Sequence, residues 1–161
     1  MNVHIVGYAL GQHHATVWNG IPTVRDISIA EEDICLRTKT VMQGYLPYAT
    51  VLEMIQFVKF GDIVVMPELD IHDISNAILA ANRGAHVICE RLITPIHLQL
   101  MDSCLRAGVT LVLCKITNLE VANPCARDLL AGKNVADRHV AKVAEYLLNK
   151  VCFHVPHRSD K

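Results

Sequence analysis

Between Gly61 and Lys115 one unit recurs: a helical stretch, a glycine, then a short apolar run. Gly61 precedes Asp62-Ile63-Val64-Val65-Met66, and Gly84 precedes Ala85-His86-Val87-Ile88-Cys89. Gly108 precedes Val109-Thr110-Leu111-Val112-Leu113-Cys114, so the glycines stand 23 and 24 residues apart. A helix commonly ends on a residue in the left-handed conformation, which glycine adopts without steric cost. The apolar runs hardly alternate, as expected of strands covered on both faces. Strands joined by helical crossovers run parallel, with right-handed connections. Three runs in phase with three glycines therefore predict the second half of a doubly wound α/β fold: a mostly parallel, Rossmann-like sheet with helices on both faces.

The N-terminal half fits the same plan. Val3-His4-Ile5-Val6 reads as a strand that runs into Gly7-Tyr8-Ala9-Leu10-Gly11 and then a helix over Gln12–Asn19, which carries the single tryptophan, Trp18. A glycine turn between a strand and a helix lets backbone N–H groups approach a pyrophosphate. The spacing here is G-x-x-x-G, one residue shorter than the usual dinucleotide fingerprint, and it also serves as a plain strand-to-helix turn. Gly7, Tyr8, Ala9, Leu10 and Gly11 are thus candidate cofactor-binding residues. Asp26–Ala30 alternates like a second strand and ends at Glu31-Glu32-Asp33. An acidic side chain at this strand end can accept hydrogen bonds from ribose hydroxyls; a solvated acidic turn is the other reading of Glu31. Thr40–Tyr45 is the expected third, edge strand. Thr50-x-x-Glu53 is a capping box that opens a helix running to Gly61.

Later helix starts are marked by Asp70, by Thr94-Pro95 and by Asn123-Pro124. Over residues 135–151, Val140, Val143, Ala144, Leu147, Leu148 and Val151 form one apolar stripe. The stripe can cover a sheet face of its own domain or make a subunit contact, with a second copy in a homodimer or with a partner protein. The expected organisation is a nucleotide-binding domain over residues 1–132, an amphipathic helix over 133–152 and a frayed tail over 153–161.

Bulk properties narrow the function classes. A length of 161 residues suits one domain. A net charge of −1 gives no electrostatic footprint for nucleic acid or an acidic membrane. No apolar run reaches the ~18 residues of a membrane span, and no signal-peptide pattern opens the chain. The six cysteines lack C-x-x-C spacing and suit free thiols in a reducing cytoplasm. The nine histidines are scattered, and no metal site is expected.

Several of these pieces together resemble the glucose–fructose oxidoreductase and inositol dehydrogenase family. They are Gly11-x-x-His14-Ala15; Asp62–Pro67 followed by His72; Ala80-x-x-x-Gly84-Ala85-His86-Val87-Ile88-Cys89-Glu90; and the strand start Gly108-Val109. The likeness spans residues 2–132. It implies a Rossmann domain that binds NAD or NADP, with Pro67 and Glu90 at strand ends near the cofactor. The family's second, substrate-holding domain has no counterpart in the remaining residues. The family's Glu-Lys-Pro places a lysine by the nicotinamide; here the run is Glu90-Arg91-Leu92. Arg91 stays cationic and suits holding an anion rather than transferring a proton. His72, with an ordinary pKa near neutrality, suits acid–base work, or else simply faces solvent at a helix start. Two functions follow: an oxidoreductase-like NAD(P)-binding domain whose chemistry uses His72 and Arg91 with a dimer mate or partner chain, or a non-catalytic Rossmann protein acting as a binding or regulatory subunit.

Overall fold

A computed structural model describes residues 1–68, 71–89, 97–113 and 153–155. Its elements alternate: β1 (Val3–Val6), α1 (Tyr8–Asn19), β2 (Ile27–Ala30), α2 (Ile34–Met42), β3 (Leu46–Tyr48) and α3 (Val51–Gln56). Then follow β4 (Ile63–Met66), α4 (Ile71–Asn82), β5 (His86–Cys89), α5 (His97–Ala107), β6 (Leu111–Leu113) and β7 (Phe153–Val155). The strands form one sheet in the order β3-β2-β1-β4-β5-β6-β7. All pairs are parallel except β6 with β7, which is antiparallel.

Chain order reverses direction between β1 and β4, and this sets which face each helix covers. Strands β1 to β3 step one way, so right-handed crossovers put α1 and α2 on one face. Strands β4 to β6 step the other way and put α4 and α5 on the opposite face. The buried side chains follow suit. Ile63 and Val65 point into a core with Val3, Ile5, Ala15 and Trp18, while Val64 and Met66 point into one with Ile55, Ile74, Ala81 and Leu100. The expected doubly wound α/β sheet is thus present, with helices on both faces.

Gly84 and Gly108 lie in the left-handed region, at φ 86° and 68°, just past α4 and α5. This matches the rhythm read from sequence. α3 instead stops at Gln56, and Gly61 (φ 81°) belongs to the turn before β4. The capping box forms: Thr50 Oγ1 accepts the Glu53 N–H at 3.2 Å, and Glu53 accepts from the Ala49 N–H at 3.0 Å.

Three expectations need correction. The helix expected from Gln12 starts at Tyr8, because Gly7 itself takes the N-cap position. The edge strand expected at Thr40–Tyr45 falls half on the end of α2 and half on the turn after it, and β3 lies further on. The cause is Asp33, whose carboxylate accepts the N–H groups of Cys35 (2.8 Å) and Leu36 (3.0 Å) and so opens a helix where an acidic turn was read. Residues 153–155, expected in a tail, form β7. The expected helix starts at Asp70, Thr94-Pro95 and Asn123-Pro124, and the stripe over 135–151, lie outside the described residues.

The outer strand β3 carries Pro47 at its centre. The Tyr48 carbonyl faces β2, accepting from the Glu31 N–H at 3.0 Å. Backbone direction alternates along a strand, so the Pro47 nitrogen faces the open edge, where it has no N–H to offer.

Candidate functional site

The C-terminal ends of β1, β2 and β4 lie side by side, at the point where strand order reverses. In open α/β sheets this crevice is the usual ligand position. Gly7 follows β1 directly. Its N–H donates to the Ala30 carbonyl at the end of β2 (2.8 Å), and its carbonyl accepts the Gly11 N–H (3.0 Å). At φ 77° the Gly7 turn requires glycine, and a Cβ built there would meet nothing within 4 Å, so the backbone borders open space.

Gly11 has a different role from the one read in the sequence. It is buried inside α1, and a Cβ there would come within 2.3 Å of Ile5 Cγ2 on β1. Gly11 therefore lets α1 lie close on the sheet, and Gly7 makes the turn. Tyr8 is buried, with its ring in the core on the α1 side. Ala9 and Leu10 are exposed. As second and third residues of α1, their N–H groups lack intrahelical acceptors. The positive end of the helix therefore opens on the crevice through them.

Glu31 closes the other side. One carboxylate oxygen accepts the Tyr8 N–H at 2.8 Å and the other accepts the Asp33 N–H at 3.0 Å. The first-turn amide of α1 is thereby tied to the end of β2. Arg37 steadies this turn from α2, donating to the carbonyls of Glu31 (2.8 Å) and Glu32 (3.3 Å). Beside the turn, burial raises the Tyr45 phenol above its ordinary pKa, and the nearby Tyr8 adds to the shift.

Gly7, Tyr8, Ala9, Leu10 and Glu31 are thus gathered at one place. Pro67 is buried in the bend after β4, next to β1. His72 lies in the first turn of α4; its side chain, and all of Glu90 and Arg91, are outside the described residues. Sequence reasoning missed the helix cap formed by Asp33. The signal for Asp33 was present, an acidic residue just before helically spaced Leu36 and Thr40.

A second polar cluster sits at the opposite, N-terminal ends of the strands. His4, Ser28 and Asp62 are all buried. His4 Nε2 lies 3.3 Å from Asp62 Oδ2, and Nδ1 lies 2.6 Å from Ser28 Oγ. A carboxylate only accepts, so Nε2–H donates to Asp62 and Ser28 Oγ–H donates to Nδ1. Asp62 also accepts the N–H groups of Asn2 (2.8 Å) and Lys59 (3.0 Å). Serine, histidine and aspartate together suggest a hydrolase, but all three side chains are buried away from solvent. Its effect is to bind β2, β1 and the start of β4 together. Burial lowers the His4 pKa, outweighing the lift from the Asp62 hydrogen bond and charge.

The described core thiols are unreactive by environment. Burial drives the Cys89 pKa strongly upward, with smaller contributions from Cys104 and Asp73, and raises Cys104 to about 12. Among the described residues no group of histidine, cysteine and carboxylate side chains could hold a metal ion. Nor is any helix among them long and apolar enough to cross a membrane.

Neither a protein-family model nor a curated protein sequence matches the chain. Solved structures do match its fold. A NAD-binding protein from Listeria innocua superposes with a TM-score of 0.61 at 22% identity, over 70% of this chain and 34% of that one. Biliverdin reductase from Synechocystis, solved with biliverdin and NADP+, gives 0.61 at 20% identity, over 68% of this chain and 36% of that one. The WlbA dehydrogenase from Bordetella pertussis, solved with NADH and UDP-GlcNAcA, gives 0.61 at 17% identity, over 79% and 42%. The chain spans about a third of the length of the solved structures it matches.

Proposed function

We propose that this chain binds a nicotinamide dinucleotide at the β1–β2–β4 strand ends. It would serve as the cofactor-binding domain of an oxidoreductase similar to the glucose–fructose oxidoreductase and inositol dehydrogenase family. The observation that carries the reading is the Glu31 carboxylate tied to the Tyr8 N–H. It fixes an acceptor for ribose hydroxyls beside a helix start whose Ala9 and Leu10 amides are open to phosphate. Gly7 leaves the space a pyrophosphate needs. The fold neighbours support the reading, since they include proteins solved with NADH and NADP+. When bound, the cofactor would supply hydride transfer at its nicotinamide.

Charge favours NAD(H) over NADP(H). A 2′-phosphate would meet the Glu31 carboxylate, whereas a free 2′-hydroxyl can donate to it. Pro67 and Glu90, which follow β4 and β5, would border the nicotinamide half. His72 would be the acid–base group nearest that half, and Arg91 an anion holder. Arg91, where the family has lysine, also favours a second reading in which the nucleotide is bound without redox chemistry.

The test is titration with NADH and NADPH, read as energy transfer from Trp18 to the nicotinamide. Trp18 lies ten residues along α1 from Tyr8, about 15 Å, so the readout is energy transfer rather than contact quenching. Saturable NADH binding with a Kd on the order of micromolar, weaker for NADPH, is the expected result. A folded protein that binds neither up to millimolar concentration refutes the proposal. Given binding, turnover that fails in the wild type and appears in Arg91→Lys would favour the second reading.

A further inference from the structure

Two of the chain's three phenylalanines stand on its surface, close together in the segment between α3 and β4. Phe57, at the end of α3, is 57% exposed, and Phe60, just before Gly61, is 81% exposed. Phenylalanine ordinarily goes to the core. Both rings are nevertheless held in place. The Phe57 ring packs against Tyr48 of β3, with centroids 5.2 Å apart. The Phe60 ring lies on Gly84, where an added Cβ would collide with it. The Gly61 N–H donates to the Gly84 carbonyl at 2.9 Å, which joins the turn before β4 to the turn before β5.

Arg83 links the two rings. It precedes Gly84, and its guanidinium donates to the carbonyl of Gln56, the residue before Phe57, at 3.0 Å. That bond uses one corner of a fork with five N–H donors, and the side chain is exposed. Lys59, also exposed, lies between the two phenylalanines in sequence. The carboxylates of the same segment are engaged elsewhere. Glu53 accepts the Ala49 N–H at the start of α3. Asp62 is buried and accepts from Asn2, Lys59 and His4. The surface thus sets anchored aromatic rings beside cationic heads.

Aromatic residues and arginine are the residue types that carry binding energy at protein interfaces. Rings and a guanidinium that are already fixed lose little freedom when a partner arrives. Charge selects the partner. A two-fold pairing of this surface with itself would bring Arg83 and Lys59 toward their own counterparts, and like charges oppose such a contact. We propose that the surface docks a partner protein through a segment that combines carboxylates with a large apolar side chain. The apolar group lies on Phe57 and Phe60, and a carboxylate pairs with Arg83, with Lys59 beside it. The surface lies at the N-terminal ends of β4 and β5, and the crevice lies at the C-terminal ends of the strands. The inference is therefore independent of nucleotide binding.

Selection of a random peptide library on the full-length protein tests it. The expected result is enrichment of peptides that carry aspartate or glutamate close to leucine, phenylalanine or tryptophan. The most enriched peptide is then synthesised and its binding followed by fluorescence polarisation. It should bind Phe57→Ser, Phe60→Ser and Arg83→Glu about tenfold more weakly or worse, and should weaken with rising salt. Replacing its carboxylates by lysine should restore binding to Arg83→Glu. Melting curves establish that each variant is folded, and the two serine variants remove different rings, so one serves if the other does not fold. Three results overturn the proposal: no peptide enriched, enriched peptides without carboxylates, or binding that survives all three substitutions. A dimer in light scattering that Phe57→Ser or Phe60→Ser turns into a folded monomer also overturns it, because a second copy then takes the surface.

Discussion

Replacing Gly11 by alanine tests how closely α1 lies on the sheet. The new Cβ would stand 2.3 Å from Ile5 Cγ2. Carbon atoms in ordinary contact sit ~3.5–4.0 Å apart, so α1 or Ile5 must yield by roughly 1.2 Å or more. Ile5 is fully buried, and its β-branched side chain is stiff at χ1, so it has little room to turn away. Overpacking of this kind costs ~1–3 kcal/mol, and alanine returns ~1 kcal/mol of helix propensity. The expected net loss is ~0–2 kcal/mol. At ~2–4 °C per kcal/mol, the melting temperature should fall by up to ~8 °C. The same lift would draw the Tyr8 N–H away from Glu31 and weaken NADH binding. A double-mutant cycle isolates the contact. Ile5→Ala removes Cγ2 and should cost ~2–5 kcal/mol alone; in that background Gly11→Ala should become neutral or slightly stabilising. Urea denaturation of the four proteins gives the coupling energy, expected at ~1–3 kcal/mol. Equal cost of Gly11→Ala in both backgrounds, or stabilisation in the presence of Ile5, refutes the close contact.

Three further outcomes are expected. His4 has a folded pKa below its unfolded value of about 6.5, so its stabilising neutral form is fully present above that value. This contribution is lost as pH falls from about 6.5 toward the folded pKa. Denaturation of wild type and His4→Gln between pH 5 and 7.5 should show a steeper acid-side loss in the wild type, and the opposite slope difference would contradict the buried neutral imidazole. Asp33→Ala removes both cap hydrogen bonds of α2 and should cost ~1 kcal/mol, visible by thermal melting monitored by circular dichroism. Glu31→Ala should weaken NADH binding about tenfold or more, the scale of a hydrogen bond to a charged group, while NADPH loses less; equal losses for both would remove Glu31 from the ribose.

The second half of the sheet was legible because its signals are local. Gly84 and Gly108 stand where left-handed residues end α4 and α5, and the runs between them are apolar on both faces. The first half was legible only in outline. Asp33 looks the same in an acidic turn as at a helix cap until its carboxylate is seen accepting two backbone N–H groups. Within the site, Gly7 and Glu31 could each be named from position, but their link through Tyr8 depends on β1 and β2 being neighbours. The two glycines of the loop have the same sequence signature and different causes: one makes a turn, the other permits an approach between layers. The His4–Ser28–Asp62 cluster left no sequence signal, because its members come from three segments joined only by strand order.

Pro47 bears on how this molecule meets others. An open strand edge is a template on which another chain can extend the sheet, and repeated extension leads to aggregates. At the β3 edge, the outward-facing backbone position at the centre of the strand has an acceptor and no donor, so an incoming strand would find the ladder broken at its middle rung. Beside this edge, Val41, Met42 and Leu46 remain substantially exposed. Backbone pairing, which can propagate, is thus blocked at the centre of this edge even though apolar side chains lie beside it.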